Sequence, residues 1–493
     1  MFPPLCDGAP AQHFVSRVND LENMTKSSIT NALLTTFGVK LLSFLVSVLT
    51  VRYSSISDFG KISVQYQLYV SLPLFLMKEG FRRAAIRETN VDSAKAISAF
   101  GTWITMMLVV LSALIVIRKY EEDITTISLI TFGLLIETVS EQFLIHHLIV
   151  LKNFATKTVA ETWASFFRSI ALLLFLYLNY SPGIAFGLSQ IVYGLIWSIS
   201  LARSLPIWPT IVSSIKDTIK PVDVNKMFEM SLSAIQKLLL TEGERIIAVS
   251  ILDAEALGHL GLITNLGSMV LRLFFAPIED IAFTGLAQTK KISDRLRIIQ
   301  AIFGIEFIVG LMGIGWGPLV AQSVIQILYG HSWSSNPQVV SLLQIYCLFL
   351  FLCSANGPLE AYYFAVADSR KIRYSMVSQS IAFAAFAILT VVGTTKWGIP
   401  GSTAIVLGNS VSMLIRIFWS FTSFPTWRDI VHPLLPGIIF RVICGTLIAW
   451  IITHLSQPSS LISGLIISGS TALVTGTSMI KIFPKLLHDA KNV

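Results

Sequence analysis

The chain has 493 residues, 54% of them hydrophobic and only 13% charged, with a mean hydropathy of +0.71. Soluble domains carry about 25% charged residues, so the composition excludes an ordinary soluble globular protein and points to a membrane. A net charge of +8 raises the question of a nucleic-acid partner, but the basic residues fall between apolar runs, so we read them as topology and expect no nucleic acid.

Residues 1–28 are polar and read as a cytosolic N-terminal segment. Apolar runs of about 20 residues follow, each long enough to cross roughly 30 Å of hydrocarbon. We expect fourteen transmembrane helices, at about 29–51, 59–77, 96–117, 125–149, 161–179, 183–202, 229–251, 257–286, 298–326, 338–367, 374–394, 398–420, 433–454 and 460–480. The first run is of span length and should persist as a helix rather than be cleaved as a signal. The longest connection, 203–228, is basic and suits a membrane surface. The fold class expected is an all-α polytopic membrane protein with two pseudo-symmetric lobes around a central cavity. The N-lobe would be 29–202, the linker 203–228 and the C-lobe 229–420, with two extra spans and a short tail in 421–493. Four cysteines, Cys6, Cys347, Cys353 and Cys444, show no ligand spacing, and we expect free thiols and no metal.

With the N-terminus placed in the cytosol, twenty-five of the 36 Lys and Arg fall on the cytosolic side, five on the other and six inside spans. That asymmetry is a positive-inside signal and puts both termini in the cytosol. It also accounts for part of MKEGFRRAAIRE (77–88), which closes the second span on the basic side.

Two pairs of stretches look alike. Residues 141–174 match 360–393, each with a Glu in a span and a basic turn eleven residues on, at Lys152 and Lys371. FGKISVQYQLYVSLPLFLMKE (59–79) resembles LGHLGLITNLGSMVLRLFFAPIE (257–279). Both pairings are offset by about 200–220 residues in the same orientation, as expected for a parallel duplication of six spans. Such repeats build transporters whose site lies between two lobes near mid-membrane.

Ionisable groups at a span centre are costly unless they face a cavity or a partner. Lys40 lies in span 1, Glu242, Glu244 and Arg245 in span 7, and Asn265, Arg272 and Glu279 in span 8. At about 1.5 Å per residue, Lys40, Arg245 and Arg272 come out near mid-bilayer. Glu242 and Arg245 share a helical face and can satisfy each other, so a purely structural role stays open for them. Lys40 and Arg272 have no acidic neighbour at helical spacing, and surplus cations suit an anionic phosphate head group. Arg168, Arg416 and Arg441 lie nearer helix ends and suit snorkelling. No phosphate-loop motif occurs, so no ATPase motor is expected. The adjacent pair His146-His147 lacks metal-ligand spacing. No catalytic residue, cofactor or metal is expected.

The motifs FLMKEGFRRA (75–84), LLLTEGERII (238–247), NLGSMVLRLFFAPIE (265–279) and ANGPLEAYYFA (355–365) resemble the eukaryotic dolichol-linked oligosaccharide translocation proteins of the endoplasmic reticulum. These are relatives of lipid II flippases and of multidrug and toxic compound extrusion transporters. The resemblance runs in order through roughly 29–420. It implies an endoplasmic-reticulum, multi-pass protein serving N-glycosylation. Its substrate would be the dolichyl-diphosphate heptasaccharide, five mannoses on two N-acetylglucosamines, carried from the cytosolic to the lumenal leaflet. The bilayer is the other partner implied. The family's basic position in span 1 is Lys40 here, where Arg is expected; its other early Arg is Arg52. The motif closing span 2 keeps Glu79, Arg82 and Arg83, with Lys78 in place of Arg, and Gln65 stands where an Arg is frequent in mid-span.

These readings make Lys40, Arg52, Glu242, Glu244, Arg245, Asn265 and Arg272 candidate cavity residues. Glu79, Arg82, Arg83 and Glu279 are candidates for the cytosolic mouth, with Glu79 expected to hold Arg82 and Arg83 in one conformation and release them in another. Two alternatives remain open on sequence. One is a non-transporting accessory factor of the same pathway. The other is an ion-coupled antiporter of a small molecule, with Glu137, Glu141 or Glu360 as the coupling carboxylate.

Overall fold

A computed structural model describes residues 38–39, 41–87, 91–120, 123–149, 155–202, 224–289, 291–367, 369–422, 435–456 and 469–472, and among them it is helical with no strand. We number the long helices α1 (Leu41–Tyr53), α2 (56–87), α3 (Val91–Tyr120), α4 (Ile124–Ile149), α5 (Ala155–Tyr177), α6 (Pro182–Ala202), α7 (Val224–Ile251), α8 (254–288), α9 (Ile292–Tyr329), α10 (Pro337–Val366), α11 (Ser369–Thr395), α12 (Gly401–Thr422) and α13 (Leu435–Ser456). Nine of these are long and apolar enough to cross a membrane by length and composition, and Leu41–Tyr53 and Ile439–Ile452 are shorter apolar helices. The expected fourteenth span and the N-terminal segment lie outside the described residues, apart from the short helical piece 469–472. So do 203–223 of the expected linker, whose last residues, from Val224, are already α7.

Helix starts follow local chemistry. Ser55 caps α2, its Oγ accepting from the Asp58 N–H at 3.2 Å, and Asp253 caps α8, its carboxylate accepting from the Ala256 N–H at 2.8 Å. Each supplies an acceptor for one of the unpaired N–H groups at a helix start. Asn336 does the same for α10, with Pro337 in the first turn. At the end of α9, Gly330 adopts φ 99°, a left-handed backbone that suits glycine.

Two helices depart from regular geometry. In α2, wide π turns occupy Lys61–Gln65 and Leu76–Phe81, and Pro73 lies between them. In α8, a π turn occupies Leu271–Phe275, followed at once by Pro277. Proline lacks the N–H for the i−4 bond, and π turns concentrate at functional sites. Beyond residue 77 α2 continues to Arg87, so Lys78, Glu79, Arg82 and Arg83 stand on a helix.

The helices pack in two groups. In the first, α4 packs on α6 and α3, and α6 on α5; in the second, α9 packs on α10, α10 on α12 and α12 on α11. The groups meet where α1 and α2 lie against α7 and α8. At that crossing Gly60 and Gly258 bring two backbones into contact. A Cβ on Gly60 would overlap the carbonyl of Ala254, and one on Gly258 would overlap the carbonyl of Ile56. Around the crossing runs a core shared by both groups, with Val48, Val51, Phe59 and Val64 from one side and Leu257, Leu260, Tyr329 and Trp333 from the other. Phe59 meets Trp333 edge to face with centroids 6.1 Å apart. This core seals the end of the bundle opposite the lysine- and arginine-rich end. Facing outward, Met107, Leu111 and Leu114 of α3 and Val377, Ile381 and Ile388 of α11 are exposed, the surface a lipid solvent requires.

Candidate functional site

Where the two groups meet, a cavity of about 550 Å³ opens between α1, α5 and α8. Its walls are polar at helical spacing: Ser43 and Ser47 on α1, Glu161, Thr162, Ser165 and Ser169 on α5, and Asn265, Ser268 and Arg272 on α8. Residues three or four apart share a helix face, so each helix presents one polar stripe inward. Asn265 donates from Nδ2 to Ser47 Oγ at 3.0 Å, joining α8 to α1 across the groups. Arg272 stands in the π turn of α8, exposed to the cavity, and forms no ion pair with a described residue.

Of the residues expected in the cavity, the structure brings together Asn265 and Arg272. Lys40 lies outside the described residues, although its neighbour Val39 lines the cavity. Arg245 is instead held by Glu242, Nη1 to Oε2 at 2.9 Å on one face of α7. Glu244 hydrogen-bonds to Asn409 of α12. Arg52 is also placed elsewhere: its guanidinium donates to the carbonyls of Leu328, at 2.6 Å, and Ile327. There it caps the C-terminus of α9, where unpaired carbonyls and the helix dipole favour a cation.

At the basic end Glu79 joins the two groups. Its Oε2 pairs with Arg83 on the same helix at 2.7 Å and with Lys237 of α7 at 2.5 Å. Arg82 turns away from Glu79 and pairs with Glu141 of α4 at 3.2 Å. Beside it, Lys78 donates to Glu137 of α4 at 2.6 Å, and Gln190 of α6 donates to the other oxygen of Glu137 at 2.8 Å. Glu279 packs against Gly357 of α10, which leaves no room for a Cβ. Glu360 accepts from Arg416, from Asn356 at 2.9 Å and from Gln379 at 2.7 Å. Arg168 does not snorkel: it donates to Gln67 at 2.9 Å and lies 4.9 Å over the Phe186 ring.

Lys237, Glu161 and the serines were not singled out from sequence. Lys237 could not be, because its partner lies 158 residues away. The serines and Glu161 carried a signal: Glu161, Ser165 and Ser169 follow a four-residue spacing within an apolar run.

The sequence family described as Rft protein matches residues 24–491. The chain belongs to the Rft protein family. Among Rft relatives, the chain is 26% identical over 438 residues to the Man(5)GlcNAc(2)-PP-dolichol translocation protein RFT1 of Xenopus tropicalis, covering 77% of this chain and 78% of that one. It is 24% identical over 442 residues to the Mus musculus protein of the same name, with 78% of each covered. Among solved structures, lipid II flippase MurJ in an inward closed conformation matches with a TM-score of 0.63 at 15% identity, over 92% of this chain and 99% of that one. The Rft chain thus has the fold of that polytopic transporter.

Proposed function

We propose that this Rft-family protein moves a dolichyl-diphosphate-linked oligosaccharide between leaflets of the endoplasmic-reticulum membrane, from cytosolic to lumenal, for protein N-glycosylation. The observation that carries the reading is the cavity between the helix groups with Arg272 aimed into it and in no ion pair with a described residue. A diphosphate entering hydrocarbon must exchange its hydration for fixed donors, and a guanidinium matches phosphate oxygens in geometry and charge. Lys40 is proposed as a second cation of this site. The lipid tail stays in the bilayer, between the groups. The chain supplies no ATP motif, so movement is driven by gradients of the lipid or by coupling elsewhere.

The Glu79–Lys237 pair is proposed as the gate at the basic, cytosolic end, and the groups divided at 203–228 as the two lobes. Closure there would hold Lys237 and Arg83 on Glu79; opening would release both cations toward an arriving diphosphate. In this conformation Glu137, Glu141 and Glu360 each hold a cation, Lys78, Arg82 and Arg416, which disfavours them as open sites for a coupling ion.

The test is transbilayer movement of dolichyl-diphosphate heptasaccharide by purified protein in liposomes. The native chain is expected to move it, and Arg272→Gln to bind it about 10–100-fold more weakly, the loss of one charge-assisted hydrogen bond. Absence of movement by folded native protein would support the accessory role instead.

A further inference from the structure

The cavity has walls of opposite chemistry. On α8, Arg272 and Asn265 offer N–H donors. On α5 the wall is set by Glu161, with hydroxyls of Thr162, Ser165 and Ser169 beside it. Glu161 is a carboxylate that forms no ion pair with a described residue. Ser169 Oγ already donates to the Ser165 carbonyl at 3.0 Å, so its lone pairs are what face the cavity. A diphosphate carries only acceptors at neutral pH, so the Glu161 carboxylate gives it no donor and repels it. Sugar hydroxyls and N-acetyl N–H groups are donors, and they match the carboxylate.

We infer that Glu161 is a specificity-determining residue, which selects a glycosylated diphosphate over the bare polyprenyl diphosphate. This rests on reading the cavity as a diphosphate site. In the glycosylated lipid the terminal phosphate is esterified by sugar, while in the bare lipid it is free and loses a further proton with a pKa near 6. The bare lipid thus brings about one more negative charge to a site that holds a fixed carboxylate and no sugar to mask it. At about 550 Å³ the cavity is of the size that takes a small ligand, so it holds the diphosphate and the sugars next to it, with the rest of the glycan outside. Discrimination of this kind works by penalising the wrong ligand as much as by rewarding the right one. It would keep the spent lipid from re-entering in place of the loaded one.

The experiment measures the affinity of the full-length protein in detergent for two probes. One is a short-chain polyisoprenyl diphosphate carrying two N-acetylglucosamines; the other is the same diphosphate without sugar. The native protein is expected to prefer the glycosylated probe. In Glu161→Gln the bare probe should gain about tenfold more than the glycosylated one, the effect of its one extra charge at roughly 10 Å from the lost carboxylate in a partly aqueous site. Glu161→Asp keeps the charge and should keep the preference. An unchanged ratio of affinities in folded Glu161→Gln, or a native protein that binds both probes equally, would overturn the inference while leaving the diphosphate site standing. A native protein that binds neither probe would overturn the diphosphate reading itself, and the inference with it.

Discussion

Lys78 and Glu137 meet at 2.6 Å, with the lysine side chain 32% exposed and the carboxylate 2% exposed. Taking one partner from a buried pair leaves a charge without compensation and costs about 3–5 kcal/mol, whereas replacing both is often nearly neutral. With Lys78 partly exposed and Gln190 still donating to Glu137, the low end applies. Lys78→Met is expected to lower stability by about 3 kcal/mol, and adding Glu137→Gln to recover most of it, as read from denaturation of the purified protein. Sequence placed Glu137, Glu141 and Glu360 inside spans and left their roles open. It could not name their partners, because Lys78 and Glu137 are joined only by the packing of α2 on α4. Arg272 was legible for the opposite reason: its whole significance lies in having no acidic residue three or four positions away.

At the scale of helices, apolar run length located the spans, since the hydrocarbon thickness sets it. The ends were less legible. The charged residues at 78–87 read as the close of the second span, and α2 carries them on as helix to Arg87, because a side chain can leave the apolar layer without the backbone changing course. The π turns left no pattern beyond the nearby prolines. The crossing of α2 and α8 is testable at this scale. Gly258→Ala would press a methyl group on the Ile56 carbonyl, and overpacking of this kind costs about 1–3 kcal/mol. The variant is expected to unfold at lower temperature and to expose the sealed end. A cysteine in place of Trp333, silent toward a membrane-impermeant thiol reagent in the native background, should then be labelled. Equal labelling with and without the glycine change would argue against a seal at this crossing.

For the whole molecule, the two-group architecture was visible as a weak repeat, whereas of the cations expected in the cavity only Arg272 lines it among the described residues. Of the two partners expected for Glu79 at the proposed gate, it holds Arg83 but not Arg82, and it also reaches Lys237 on the other group. Tying the basic end shut should therefore stop transport. In a cysteine-free background, Glu79→Cys and Lys237→Cys joined by a cleavable bismaleimide are expected to abolish lipid movement, and cleavage of the linker to restore it. Transport that survived the cross-link would remove the gate. The glycine crossing has a further consequence, for ancestry. Gly60 sits against the carbonyl four positions before Gly258, and Gly258 against the carbonyl four positions before Gly60; the two caps, Ser55 and Asp253, stand in the same register. A contact in which each side does to the other what is done to it is the form taken by the interface of a twofold homodimer. In a half-length ancestor meeting its own copy there, one codon would have governed both sides of the contact. After fusion each glycine must be kept separately, so a single substitution now spoils half of a fit that its partner cannot repair.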